Sequence, residues 1–179
     1  TAAIPTIVAS PLPSPSPSAS LSPSPSPTVP DLPADPTAKP RPRGPAIVQV
    51  GTIEIPRISL VHPVFEGIDL RVINHGPGHW PGTPMPGQRG NVVFAGHRVT
   101  HSHPFLHIDK LVPGDQVIFR TAAGTAVYEM TEHLIVYPKD VWITNPTASS
   151  IVTFFGCHPP HSARQRYVVR AKLVSTTPA

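Results

Sequence analysis

Cys157 is the only cysteine in a chain of 179 residues. It ends the apolar run Ile151-Val152-Thr153-Phe154-Phe155-Gly156 and is followed at once by His158-Pro159-Pro160-His161. After a short polar stretch, Arg166 opens a second apolar run, Tyr167-Val168-Val169. Far upstream, Phe94-Ala95-Gly96 ends a third run at His97. A cysteine attacks carbonyls as its thiolate. A histidine beside it supplies the acid and the base. An arginine brings a permanent charge and a fork of donors to a developing oxyanion. Together the three describe acyl transfer. A single cysteine makes no internal disulfide, and many such thiols are small buried hydrophobes. Cys157, however, stands where a strand breaks into a loop, a common place for reactive groups to be exposed.

A second chemistry competes for the histidines. His97, His101, His103 and His107 are close in sequence, and His158 and His161 flank the cysteine. Zinc needs convergent nitrogen and sulfur ligands. The spacing fits no familiar zinc pattern, and Pro104 breaks helical alignment of His103 with His107. These are read as loop histidines, and neither a metal nor another cofactor is expected. Asp109 and Asp115 sit in polar loop context and are read as capping or solvated carboxylates.

The elements that must position these residues are mostly strands. Strand signals run over Ile47 to Ile55, Leu60 to Phe65, Asn91 to Ala95, Val117 to Thr121, Ala126 to Tyr137, Ile151 to Gly156 and Tyr167 to Val174. They are rich in β-branched residues. Pro63 suggests an edge or a bend in the second, and Ala122-Ala123-Gly124-Thr125 is a hairpin turn. Two short helices are expected, Ile68 to Asn74 and Pro104 to Leu111. Gly78 to Gly90 reads as an ordered loop. Seven or eight short strands with little helix predict an all-β barrel or sandwich.

The chain divides by composition. Of its 27 prolines, 14 fall in residues 1–45, and Ser10 to Pro30 nearly alternates proline with serine. Such a segment buries little and stays extended, so residues 1–45 are expected to be a disordered stalk. Residues 46–175 are expected to form one domain and 176–179 a short tail. The domain's charges are few, and no basic cluster is interleaved with aromatics, which excludes nucleic acid as a partner. Ala2 to Ala9 is far shorter than the roughly 20 residues of a membrane helix. A Pro/Ser stalk suits a surface or wall protein, so an anchor or export signal upstream of Thr1 is expected.

Taken together, these residues resemble a known family. Ala95-Gly96-His97, the lone Cys157 and Arg166 before an apolar strand are similar to the catalytic motifs of sortases. The flanking sequence narrows the likeness to the class E sortases of actinobacteria: Pro81 to Asn91, Gly96-His97-Arg98, Pro104-Phe105, Leu111-Val112-Pro113-Gly114-Asp115, Cys157-His158-Pro159 and Ser162 to Arg166. The resemblance covers Gly51 to Val174. It implies an eight-stranded β-barrel and a membrane-anchored, outward-facing cysteine transpeptidase. It implies catalytic roles for Cys157, His97 and Arg166, with Arg164 the weaker candidate for the cation. It also implies a sorting-signal groove that includes Gly156, Thr153, Ala95 and Trp80. The implied partners are secreted proteins with a C-terminal Leu-Pro-x-Thr-Gly or Leu-Ala-x-Thr-Gly signal and an amine, from a lipid II-type wall precursor or a pilin lysine. The pattern departs in two places. Gly156 stands where sortases usually have threonine, and Trp80 where class E is expected to have tyrosine. The loss of the hydroxyl next to Cys157 predicts lower activity or a different signal, and it raises the alternative of a sortase-like binding domain with weak turnover or none.

Overall fold

The computed structural model describes residues 44–179. The stalk expected over residues 1–45 lies outside these apart from Gly44 and Pro45. Eight strands follow in order: β1 (Gln49–Ile55), β2 (Leu60–Glu66), β3 (Gly78–His79), β4 (Asn91–Ala95), β5 (Gln116–Thr121), β6 (Gly124–Val136), β7 (Ile151–His158) and β8 (Gln165–Pro178). They close into a barrel in the order β1-β2-β3-β4-β7-β8-β6-β5. Two of its pairings, β2 with β3 and β4 with β7, are parallel, and the rest are antiparallel. The barrel alternative to the sandwich is therefore the one adopted.

Alternation along the strands builds the core. Ile53 and Ile55 of β1, Val117 and Phe119 of β5, Tyr128 and Met130 of β6, Val152 and Phe154 of β7, and Val169 and Ala171 of β8 all point inward and are buried. Such side chains each contribute roughly 1.5–3 kcal/mol by leaving water. The rings of Phe94 and Phe119 stack at 5.0 Å, with Tyr128 edge-on to Phe119. Outward-facing Phe155 and Val168 are covered instead by Val136 and Ile143, so β7 is packed on both faces.

Four local expectations change. The tail expected over residues 176–179 is strand as far as Pro178, which pairs with Gly124 of β6, because the long β6 offers it a ladder partner. The first helix shortens to α1 (Leu70–Ile73), capped by Asp69, whose carboxylate accepts from Val72 N at 3.2 Å. The stretch from Pro104 to Leu111 forms no α-helix, only a 3-10 turn at Ile108–Lys110. Its buried residues Phe105, Ile108 and Leu111 recur every three positions, the pitch of a tighter helix. The supposed loop at Gly78 contains β3, which slots between β2 and β4. Gly78 permits this because a Cβ there would strike the carbonyl of Gly67. Among the described residues no helix is long and apolar enough to cross a membrane.

Candidate active site

β4 and β7 run parallel with Ala95 opposite Phe155, and Gly96 N donates to Phe155 O at 3.1 Å. Two residues beyond that pair on each chain come His97 and Cys157. β8 returns antiparallel with Arg166 directly opposite Cys157. Neighbouring strands lie roughly 4.8 Å apart, so the thiol is central, with the histidine on one side and the arginine on the other. All three line one cleft of about 270 Å³, together with Trp80, Ala95, Gly96, Phe155 and Gly156. Ile68, Leu70 and Ile73, from α1 and its approach, make the cleft's apolar wall. Cys157 is half-buried, as a reactive thiol must be to meet a substrate.

His97 is oriented by a residue that sequence reasoning missed. Its Nε2 lies 2.8 Å from Asn74 Oδ1, at the C-terminus of α1. A carboxamide oxygen only accepts, so Nε2 donates to it and Nδ1 is left to exchange protons in the cleft. Partial burial holds the imidazole below its ordinary value, and the neighbouring His101 lowers it further. The two rings stack at 4.9 Å. Nothing in the sequence around Asn74 marks it; only the fold brings it to His97.

Arg166 is anchored by its own loop, with Nη1 donating to Ala163 O (2.9 Å) and Gln165 O (3.0 Å). Both bonds use Nη1, which leaves Nε and Nη2 for a ligand. Arg164 is exposed and does not line the cleft.

The four residues expected in the groove separate. Trp80 and Ala95 line the cleft, with the Trp80 ring 6.2 Å from that of Phe155. Trp80 also walls an adjoining hollow of about 160 Å³ bounded by Tyr137, Val141, Ile143, Thr144 and Arg166. Thr153 does not reach the cleft. It is fully buried, and its hydroxyl donates to Asn91 Oδ1 at 2.7 Å. Asn91 in turn donates to Ile143 O and Asn145 O, which pins the β6–β7 loop against the barrel.

Gly156 meets the cleft through its backbone alone. It pairs with Tyr167 on the face of β7 opposite Cys157, so a hydroxyl there would not lie on the nucleophile's side. A Cβ at this position would stand 2.9 Å from Arg98 Cγ and 3.1 Å from Gly96 O. The glycine provides space for Arg98 rather than freedom for the backbone. Among the described residues, no three His, Cys, Asp or Glu side chains converge to hold a metal.

The Sortase domain family profile matches residues 53–174, and the chain belongs to the sortases. The likeness to class E is also found. The chain is 32% identical over 142 residues to sortase SrtE1 of Streptomyces coelicolor, covering 70% of this chain and 40% of that protein. It is 30% identical to sortase D of Bacillus subtilis, covering 70% and 64%. The chain thus spans less than two thirds of each of these relatives. Among solved structures, S. coelicolor sortase E1 with a tripeptide in its active site superposes with a TM-score of 0.68 at 29% identity, over 73% of this chain and 91% of that one. The Clostridium perfringens sortase D5 transpeptidase gives 0.66 at 32% identity, over 71% and 79%.

Proposed function

We propose that this domain is a cysteine transpeptidase that cuts a Leu-Ala-x-Thr-Gly or Leu-Pro-x-Thr-Gly signal between Thr and Gly. The observation that carries the reading is Cys157, central in the cleft between His97 and Arg166. The Cys157 thiolate attacks the threonine carbonyl carbon, and the carbonyl π electrons move to oxygen. Arg166 meets that oxyanion, or the signal's backbone, with Nε and Nη2. The oxyanion collapses, the carbon–nitrogen bond breaks, and the glycine amine leaves with a proton from the His97 imidazolium. A thioester on Cys157 remains. An incoming amine attacks it, gives its proton to His97 and releases the thiolate. The net reaction exchanges one amide for another and consumes no water.

The acyl donors are secreted proteins bearing a C-terminal sorting signal, and the acceptor is a wall-precursor amine or a pilin lysine. The enzyme works at the outer face of the cell membrane. Because Gly156 lies on the face opposite Cys157, it gives no ground for lost turnover. Mass spectrometry with a Leu-Ala-x-Thr-Gly or a Leu-Pro-x-Thr-Gly peptide and triglycine, with Cys157→Ala in parallel, tests the reading. A thioester adduct and a triglycine-ligated product, both absent from the variant, are expected. A Cys157 that reacts with an alkylating probe but forms no acyl adduct with either signal would overturn it.

A further inference from the structure

The last ladder bond between β4 and β7 is Gly96 N to Phe155 O. His97 and Cys157 both lie beyond it, and His97 O is taken by Phe105 N of the following loop. Something other than the sheet must hold the two strand ends together. Arg98 is placed to do so. Its side chain is 1% exposed, although it follows His97 in what reads as a polar surface loop. Nη1 donates to Nδ1 of His158, the residue after the nucleophile, at 2.9 Å. Nη2 pairs with Asp109 Oδ1 at 2.9 Å and reaches Leu106 O at 3.4 Å. The guanidinium lies 5.3 Å from the Tyr167 ring centroid, beneath the β7–β8 pair. The stem runs across Gly156.

Burying this cation costs desolvation, and its Nε is left without a partner. Such a group is a poor choice for stability alone, since an apolar residue of similar size often does as well. What a guanidinium can do, and a hydrocarbon cannot, is tie β4's exit to β7's exit and to the loop that carries Asp109.

We propose that Arg98 is a positioning residue, a buried latch from the residue after His97 to the residue after Cys157, and that Gly156 lacks a side chain to let it pass. This rests on the transpeptidase reading for its consequence but not for its test. Misplacing reacting groups by about an ångström can cost on the order of a hundredfold. The latch therefore acts on the chemical step and not on signal binding.

The substrate-free test is the rate of Cys157 alkylation by iodoacetamide, with and without His97→Ala, in wild-type and Arg98→Met backgrounds. His97 is expected to accelerate alkylation in the wild type and to lose most of that effect in Arg98→Met, while the melting temperature stays within a few degrees. An undiminished His97 effect in Arg98→Met overturns the proposal, as does an absent His97 effect in the wild type. With a peptide substrate, kcat is expected to fall tenfold or more with KM within twofold, and Arg98→Lys to recover part of it. His158→Ala, which removes the other end of the latch, keeps the question answerable if Arg98→Met does not fold. It is expected to lose the His97 effect in the same way, and the double variant to be no worse than the worse single. Independent, multiplying losses overturn the latch. A normal His97 effect on alkylation with no peptide turned over would count against the transpeptidase reading and leave the latch standing.

Discussion

Asn91 and Thr153 link the barrel to the loop that walls the cleft, and their contribution can be worked out in advance. Asn91 makes three side-chain hydrogen bonds, accepting from Thr153 Oγ1 and donating to Ile143 O and Asn145 O. Both residues are buried, Thr153 completely. At about 1 kcal/mol net per bond, Asn91→Ala costs about 3 kcal/mol. Thr153→Val removes one of these bonds and strands Asn91 Oδ1, at about 1.5 kcal/mol. The shared bond is counted in both, so the double variant costs about 1 kcal/mol less than the sum. Urea unfolding of all four proteins measures the cycle. Asn91→Ala also frees the turn Val141–Thr144, which borders the hollow beside Trp80. Its KM for the signal peptide should rise several-fold more than its kcat falls. Single variants within about 0.5 kcal/mol of wild type, or strictly additive costs, would refute the reasoning about stability. A normal KM in a destabilised Asn91→Ala would refute the link from loop to substrate.

Arg166→Ala is expected to lose on the order of a hundredfold in kcat, with exposed Arg164→Ala within twofold, both read in the peptide-ligation assay. His97, held below its ordinary value by burial and then by His101, should titrate below 6.5 in NMR of labelled histidine and move back upward in His101→Gln. Because the unfolded chain takes up that proton first as pH falls, His97's contribution to stability is intact above pH 6.5 and is lost as pH falls from there through the lowered value. Urea titrations across that range should show it. Tyr128, whose hydroxyl accepts from Gly87 N at 2.8 Å inside the core, should cost about 1 kcal/mol as Tyr128→Phe in the same unfolding assay.

Much of this site was legible because its chemistry is written at the ends of apolar runs. Apolar, β-branched runs mark β4, β7 and β8, and the residues at their ends are His97, Cys157 and Arg166. What stayed hidden depends on contacts between distant segments. Arg98 reads as a loop charge because its partners, Asp109 and His158, lie in other segments. Asn74 reads as the frayed end of a helix until the fold sets it against His97. The resemblance puts Thr153 in the groove, but a family pattern along a strand says nothing of depth. It shares a face with Cys157 and is sealed under the β6–β7 loop that Asn91 holds down. Gly156 shows the same limit in reverse. A missing side chain next to a nucleophile suggests altered activity or a different signal, whereas here it records the volume of a neighbour.

The topology explains why these three strands carry the site. β4 has five residues, about 17 Å at 3.3 Å per residue. Were β7 antiparallel to β4, the exits of the two strands would lie at opposite ends of that length, and His97 could not serve Cys157. The parallel pairing puts both exits on one rim, and the antiparallel β8 begins on that same rim, so the arginine arrives without any special loop. The connections gathered there are then free to differ in purpose. The β4–β5 segment sends Arg98 and Asp109 beneath the nucleophile, whereas the β3–β4 and β6–β7 segments supply Trp80 and the Val141–Thr144 turn to the open side. On the transpeptidase reading, chemistry rests on strand exits that Arg98 ties together, and recognition rests on the loops around them. On that division, substitutions at Trp80 or in the β6–β7 loop should change which signal is accepted, whereas substitutions at Arg98 should slow every signal alike.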